Sequence, residues 1–487
     1  MSDKIFDIGI IGYGPVGATL AGLLSSLGLS VVVIEKNEGV SPTARAINTD
    51  SEQLRTFNFL NIASKVISNS RKICRVHFTD SEFNPYSTIN VPKEDTLGWP
   101  PTLLFYQPEL ETIIRTNNRK YKKLEILENT ELVNIENKNP IRLNVRNNRE
   151  NSSICCKYLV GCDGANSFVR KHIKARLIDF GFDQDWIVID AHTTKKLNIS
   201  KDEVQQICDP NRLKTYVPGR RNHERFEFKL LKGESEKDFT KKKVWELLSP
   251  WINRNNSKIE RAVVYKFHAC IADKWRDKNI FIAGDAAHQM PPFLGAGMGT
   301  GIRDVFNLAW KIYLVIKGKA GENLLETYQL EREPHANWTI QQAKIIGEMM
   351  EQFSYKEKGE KYIPSNTGYG EVFPHLTNGY YGDPTDGLIA TPFCRFDLDG
   401  SKKDSDGYFG WNFGLISKKK LTKEIDLILK QMNIKVLIVT HPKLKNYFEG
   451  ANYLLIRPDK YLFSRSKTTS ELKKALSELE NQFSLIT

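Results

Sequence analysis

Ile5-Phe6-Asp7-Ile8-Gly9-Ile10-Ile11 runs straight into Gly12-Tyr13-Gly14-Pro15-Val16-Gly17, and Val31-Val32-Val33-Ile34-Glu35-Lys36 follows one helix length later. The first run is apolar, as a strand buried on both faces of a parallel sheet must be. After the glycines, Val16, Leu20, Leu23, Leu24 and Leu27 fall on one helical stripe, and Gly28 supplies the usual helix stop. The order is strand, glycine turn, helix, strand: a βαβ unit. In such a unit Gly12 permits the tight turn, Gly14 lets backbone approach a pyrophosphate, and Gly17 lets helix and strand pack closely. The opening turn of the helix, which Pro15 begins, offers the N–H groups of Val16 and Gly17 and the positive end of a dipole to phosphate. Glu35 ends the second strand, where an acid binds ribose hydroxyls, with Lys36 beside it. A chance glycine turn explains neither the flanking strands nor Glu35, so a bound dinucleotide is expected.

Working outward, the chain has 487 residues, enough for two or three domains, with 40% apolar and 26% charged residues. No run of ~18 apolar residues occurs, so no membrane insertion is expected. Met1 to Phe6 lacks a basic start and an apolar signal core, which points to a cytoplasmic protein. The seven cysteines are odd in number and form no CxxC, which argues for reduced thiols and against a disulfide framework or a zinc site; no metal is expected. Of the adjacent Cys155 and Cys156, one should face a core. The net charge of +12 is spread thinly, in runs no longer than Lys241–Lys243 and Lys418–Lys420, with acids interleaved. It reads as solvated surface that weakly attracts anionic ligands, not as a nucleic-acid interface.

Further along, Leu103 to Asn117 reads as helix, Leu124 to Arg146 as a meander of antiparallel strands, and Ile154 to Val160 as a strand. Ile187 to Lys232 is strand-rich and suggests a second, substrate-covering sheet. Asn279 to Ala283 is a strand, and a helix from about Thr300 carries Ile302, Val305, Phe306, Ala309, Ile312, Tyr313 and Ile316 on one face. Gly, Pro and Tyr crowd Ile363 to Gly387, an extended connection. Beyond it, the strands Lys435 to Val439 and Tyr453 to Ile456 alternate with amphipathic helices in a small α/β domain.

Two later motifs decide between NAD and FAD. Tyr158-Leu159-Val160-Gly161-Cys162-Asp163-Gly164-Ala165-Asn166-Ser167 and Asn279-Ile280-Phe281-Ile282-Ala283-Gly284-Asp285-Ala286-Ala287-His288 each end a strand in a carboxylate, where doubly wound sheets form their ligand crevice. Asp285 can accept from ribityl hydroxyls. Gly295, Gly297, Gly299 and Gly301 let backbone lie against a flat ring, and the helix that follows turns its positive end toward it. No second GxGxxG appears, so NADH or NADPH would bind transiently over the same crevice.

With these three motifs in this order, residues 5–340 resemble the flavoprotein aromatic hydroxylases of the para-hydroxybenzoate hydroxylase class, and within it the 3-(3-hydroxyphenyl)propionate hydroxylase group. The shared segments are Arg45-Ala46-Ile47, Leu54-Arg55-Thr56-Phe57, Phe105-Tyr106-Gln107-Pro108, Phe226-Glu227-Phe228, Phe267-His268-Ala269 before Trp275-Arg276, and Met290-Pro291-Pro292-Phe293 before Gly297-Met298 and Arg303-Asp304. Asp399-Gly400 and Leu455-Ile456-Arg457-Pro458-Asp459 resemble the thioredoxin-like C-terminal domain of that group. The resemblance implies an α/β fold: a Rossmann-type FAD-binding domain (1–75, 100–185 and 265–350), an interleaved β-sheet substrate domain (76–99 and 186–264), and a thioredoxin-like domain (375–487). It places Arg45, with Ala46, at the FAD phosphates and Gln107 at the flavin–ribityl region. Asp163 and Gly164 fall near the pyrophosphate, Pro291 and Pro292 along the flavin, and Val133 and Met298 among the cofactor contacts. Where the family has Gly-Gln-Gly-Met-Asn, this chain has Gly295-Ala296-Gly297-Met298-Gly299, so backbone N–H groups replace the Asn contact.

The implied activity is hydroxylation of a phenolic ring, such as a 3-hydroxyphenylpropionate-like acid, with NAD(P)H and O2 through a C4a-hydroperoxyflavin. Pro292, His288 and Tyr265 are the candidate catalytic residues, although His288, Tyr265 and His268 also suit core packing. Arg220, Arg221 and Arg225 read as a solvated loop of which one can meet a substrate carboxylate. Cys394 stands alone, which excludes dithiol exchange and suggests a structural or dimer-related C-terminal domain. A homodimer is a further expectation. The alternatives are a hydroxylase or epoxidase of a polyketide, quinone or other large ring, and a non-catalytic carrier on the same fold, like the GDP-dissociation inhibitors.

Overall fold

The computed structural model describes residues 4–147, 150–194, 202–356, 376, 388–398 and 403–483. The strand Ile5–Ile11 lies at the centre of an eight-stranded sheet, parallel to Val31–Ile34 on one side and to Glu150–Gly161 on the other. Ile280–Ile282 adds in parallel beyond Glu150–Gly161. Ile8, Ile10 and the whole of Val31–Ile34 are buried, as strands covered on both faces require. The helix Pro15–Ser26 buries Leu20, Leu23 and Leu24, and Gly28 follows it at φ +82°, the left-handed stop that glycine adopts without strain.

Three expectations change in and around this sheet. Leu124–Leu127 does not join a meander: it pairs in parallel with Val31–Ile34, and only Thr130–Glu136 and Ile141–Asn147 run antiparallel. Leu124, Ile126 and Leu127 carry no sign of strand direction, which the partner strand sets. The expected helix from Leu103 begins only at Gln107, because Thr102–Leu104 forms a short strand against Asn48–Asp50. The long helix expected from about Thr300 starts a turn earlier, as Gly297–Ile316. Its start packs tightly: a Cβ on Gly301 would lie 2.7 Å from Val16 and 2.9 Å from Gly284 Cα.

The second sheet also has eight strands, with the long hairpin-like pair Leu177–Thr193 and Ser257–Ala272 at its heart and His223–Lys229, Lys214–Pro218, Glu203–Ile207, Arg75–Thr79 and Pro85–Asn90 following outward. Both long strands continue across 185/186 and 264/265, so the sheet extends into segments expected for the first domain. Alternation splits its faces. Ile187, Ile189, Phe226 and Phe228 pack behind it against Trp251 and the helix Lys241–Leu248, leaving the other face toward the first sheet.

The C-terminal part holds a four-stranded sheet in the order Lys435–Ile438, Gly414–Ser417, Tyr453–Ile456, Leu462–Ser466. The first pair is parallel and the rest antiparallel, with the helices Lys423–Gln431 and Thr469–Phe483 alongside; this is the thioredoxin-like arrangement. Cys394 is buried there, and burial pushes its thiol up to about 12, which suits an inert structural cysteine. Buried ion pairs fasten this part to the helices Asn323–Lys356, Gly297–Ile316 and Ser51–Phe59. Arg457 bonds Glu331 and Asp459, Lys311 bonds Glu331 at 2.8 Å, and Arg55 bonds Asp406 at 2.8 Å. Burial opposes ionisation of Glu331, yet Arg457 and Lys311 hold its pKa down to about 2. The expected connection Ile363 to Gly387 lies outside the described residues apart from Leu376, and Asp399-Gly400 lies outside them entirely. Cys156 faces the core as expected, with Cys155 half-buried. No described helix is long and apolar enough to cross a membrane.

Candidate functional site

A cavity of about 1830 Å³ opens between the first sheet, the inner face of the second sheet and the helix Asn323–Lys356. At one end are the carboxyl ends of Ile5–Ile11 and Val31–Ile34, where a doubly wound sheet leaves its crevice. Gly12, Gly14, Pro15, Val16, Glu35, Lys36, Arg45, Ala46, Gln107, Asp163, Gly164, Asp285, Pro292, Gly295, Gly297 and Met298 all line it, and so do His288 and Tyr265.

The glycine turn divides its work by contact. Gly12 sits at φ +94°, and a Cβ there would come within 2.4 Å of Cys162 O; a Cβ on Gly17 would come within 2.1 Å of Gly12 O. Both are packing requirements. Gly14 is different: a Cβ would meet nothing within 4 Å, because it would stand in the cavity. No side chain caps the helix Pro15–Ser26 and no acid sits in its first turn, and the same holds for Gly297–Ile316. Two uncapped helix starts therefore reach one cavity, each with open N–H donors and positive dipole ends. That cradle fits the pyrophosphate and the electron-rich edge of a flavin dinucleotide.

Three expected cofactor residues stay outside the cavity lining. Gly17 serves helix–strand packing. Val133 points to solvent, 44% exposed, because alternation turns its neighbour Leu132 inward instead. Gly299 faces Gln53, whose Nε2 would stand 2.0 Å from an added Cβ. Gln53 is buried and pinned, accepting from Thr49 Oγ1 at 2.8 Å and donating to Asp50 Oδ2 at 2.8 Å. The space a side chain at 299 would need is thus taken by Gln53, a residue that the motif reading passed over.

The carboxylates differ in their partners. Glu35 accepts from Tyr13 N at 2.8 Å and Asn37 N at 2.9 Å, fixing its side chain at the strand end. Asp163 caps the helix Phe168–His172, accepting from Phe168 N at 2.7 Å and Ser167 Oγ at 2.5 Å. Asp285 is exposed on the cavity wall, where desolvation in the cleft raises its pKa and its carboxyl is open to hydroxyl donors. Gln107 holds the Arg45 segment: its Oε1 accepts from Arg45 N and Ala46 N, both at 2.7 Å, and its Nε2 donates to Glu111 at 2.8 Å.

His288 is buried, with Nε2 on Asp304 Oδ2 at 2.7 Å; Asp304 also accepts from Arg332 Nε at 3.0 Å and Gly284 N at 3.1 Å. Burial opposes ionisation of Asp304, but His288 and Arg332 hold its carboxyl below the ordinary range. Tyr265 stacks on Phe267 with ring centroids 6.2 Å apart, and its hydroxyl accepts from Arg261. His268 is exposed and paired with Asp183 at 2.8 Å.

The arginines correct the solvated-loop expectation. Arg220 pairs with Glu109, and Arg221 is the exposed one. Arg225 lies buried on a strand, its Nε on Asp190 Oδ1 at 2.8 Å and its Nη1 on the Arg45 carbonyl at 2.8 Å. Arg261 joins it on Asp190 Oδ2 at 2.5 Å and also bonds the Ala44 carbonyl. Burial opposes ionisation of Asp190, yet the guanidinium of Arg225 and the nearby His223 hold its carboxyl far below the ordinary range. The second sheet thereby grips the loop that carries Arg45. Asp190 and Arg261 were missed because nothing local marks them; only strand register joins them to Arg225.

The glycine turn, the acid at the end of the second strand and the two helix starts define a Rossmann-type flavin-binding protein. The chain belongs to the FAD binding domain family, whose model matches residues 6–343. It is 34% identical over 71% of its length to the "Probable NADH-specific resorcinol 4-hydroxylase" of Rhodococcus jostii, covering 65% of that protein. It is 32% identical over 70% of its length to the 3-(3-hydroxy-phenyl)propionate/3-hydroxycinnamic acid hydroxylase of Escherichia coli, covering 62% of that protein. The chain thus spans less than two thirds of these relatives. Among solved structures, the fold is shared with aklavinone-11 hydroxylase, determined with FAD and aklavinone, at TM-score 0.85 and 19% identity over 99% of this chain and 100% of that one. The resemblance to aromatic hydroxylases rests on the two sequence relatives, and the solved structure shows the shared fold.

Proposed function

We propose that this chain is an FAD-dependent monooxygenase that hydroxylates a phenolic ring with NAD(P)H and O2. The observation that carries the proposal is the shared cavity, with phosphate- and ribityl-binding geometry at one end and an apolar sheet face with Tyr265 and Phe267 at the other. Bound FAD would supply the redox chemistry, accepting electrons from the nicotinamide and activating O2. The chain's own residues bind, orient and exclude water. The helix start at Gly297 and the backbone of Gly295 to Met298 would face the flavin edge, Pro292 its ring, and Asp285 its ribityl chain. His288, oriented by Asp304, and Tyr265, tied to Arg261, are the side chains proposed to position the reacting groups. NADH is favoured as co-substrate by the name of the Rhodococcus relative.

The relatives' names supply two small ring classes, resorcinol and phenylpropanoid acids. A second reading, oxygenation of a larger polycyclic ring, draws on the aklavinone complex of a protein with this fold. The test is to load the purified chain with FAD and measure NADH and NADPH oxidation across a panel of hydroxylated aromatics, with mass spectrometry of the products. Phenol-stimulated oxidation with gain of one oxygen is expected. FAD retention without stimulation by any ring would overturn the activity, and failure to take up FAD would favour the carrier alternative.

A further inference from the structure

The helix Gln107–Asn118 turns one polar row toward the glycine-turn end of the cavity: Gln107, Glu111 and Arg115, four residues apart, all line it. They form a ladder. Gln107 holds the backbone of Arg45 and Ala46 and donates to Glu111 at 2.8 Å, and Glu111 lies 3.5 Å from Arg115 Nη2. Arg115 belongs to none of the motifs that mark the site, yet its guanidinium donates to two backbone carbonyls at once. Nη2 bonds Tyr13 O at 2.7 Å, and Nη1 bonds Gly39 O at 2.7 Å. The same group lies over the Tyr13 ring, with Cζ 4.6 Å from its centroid, and Glu128 pairs with Nη1 at 3.1 Å.

Both carbonyls belong to walls of the site. Tyr13 stands between the first two glycines of the turn, and its carbonyl shares a peptide unit with the Gly14 N–H. In a planar trans peptide these two groups point in opposite directions. A Tyr13 carbonyl held by Arg115 on one side therefore turns the Gly14 N–H to the other. That N–H donates to no acceptor among the described residues, and Gly14 lines the cavity. Donation to the carbonyl also polarises the peptide, which makes the N–H a better donor to an anion. Gly39 lies in the stretch 36–43, which lines the cavity beyond Glu35 and forms no helix or strand. Bonds to its own neighbours aside, two hydrogen bonds tie this stretch to the rest of the described residues. Asn129 N bonds the Asn37 carbonyl at 3.4 Å, and Arg115 bonds the Gly39 carbonyl.

We infer that Arg115 is a positioning residue for FAD: it orients the Gly14 N–H for the pyrophosphate and holds the stretch 36–43 as the wall of the adenosine end. In a Rossmann turn the second glycine admits the pyrophosphate and the acid after the second strand takes the ribose. Arg115 acts through the backbone beside each of them. A guanidinium suits the task, because its planar fork offers several donors in fixed directions, whereas an ammonium is a point charge on a flexible stem. Glu111 and Glu128 balance its charge, but the two carbonyl bonds do the positioning.

The experiment follows FAD release from the flavin-loaded protein after dilution, by the rise in flavin fluorescence, and hydrogen exchange of the same samples. Arg115→Met should release FAD about 10- to 100-fold faster, as loss of charge-assisted hydrogen bonds does. Exchange over residues 36–43 should rise at least about 10-fold, while the strands Leu177–Thr193 and Ser257–Ala272 keep wild-type rates. Arg115→Lys, which reaches one carbonyl but cannot fork to both, should fall between the two proteins, and it carries the test if Arg115→Met does not fold. Glu128→Gln removes an acid partner and leaves both carbonyl bonds, so its FAD release should stay within about twofold of wild type. Release within about twofold of wild type from the Arg115 variants overturns the inference. So does faster release with exchange over 36–43 unchanged, or with exchange raised equally in the second sheet, which is general loosening. Glu128→Gln that sheds FAD as fast as Arg115→Lys also overturns it, since charge balance and not the hold on the carbonyls would then be the cause. Only FAD binding is read, so a protein that oxygenates no ring defeats the monooxygenase reading and leaves this inference standing.

Discussion

The two ends of the cavity are built by opposite means. At the glycine turn the backbone does the work, and that backbone comes from one stretch between Ile5 and Glu35. At the second sheet side chains do it, and Asp190, Arg225 and Arg261 come from three strands brought into register. The turn fails when an atom is added, because Gly12 and Gly17 are already at contact distance. The sheet end fails when a charge is removed, because Asp190, Arg225 and Arg261 are paired with one another away from bulk water. The glycine turn is therefore local and steric, while the wall across the cavity from it is distributed and electrostatic.

The sharpest way to break this contrast is Asp190→Ala. It strands the buried guanidinium of Arg225 and the half-buried one of Arg261, which also hold the Ala44 and Arg45 carbonyls, and should cost about 3–5 kcal/mol, measured by denaturant unfolding. Acid should mimic it in part. The folded protein releases the Asp190 proton far below the ordinary value of 3.8 at which the unfolded chain binds it. The stabilisation is thus complete above that value and declines as pH falls through it, and Asp190→Asn should flatten this part of the pH–stability curve.

Gly17→Ala comes next. Its Cβ would stand 2.1 Å from Gly12 O, so helix and strand must separate, at about 1–3 kcal/mol and with loss of bound FAD; thermal melting and flavin content read both. Gly14→Ala sharpens the comparison, because its Cβ meets no protein atom. The melting temperature without FAD should hold while FAD affinity falls about 10-fold or more, and a drop in both would show that the turn is not divided as described. The smallest effect is expected from Val133→Lys: at an exposed position off the cavity it should leave stability within about 0.5 kcal/mol and FAD content unchanged.

The strands Ile5–Ile11 and Val31–Ile34, the intervening helix and its glycine stop could be drawn from the chain alone, because hydrophobic periodicity and glycine placement are local properties. So could the carboxylate-ended strands at Asp163 and Asp285, which doubly wound sheets aim at one crevice. The direction of Leu124–Leu127 was beyond reach, since a strand's neighbour fixes it. So were the inward turn of Leu132 in place of Val133, the seat of Gln53 against Gly299, and the burial of Arg225 on Asp190. The alternation Phe226-Glu227-Phe228 was plain to see, but whether Glu227 faces water or a cavity depends on which layer covers that side of the sheet. Local pattern writes the elements; long-range register and packing choose the partners of each polar group, and those partners are what give a side chain its chemistry.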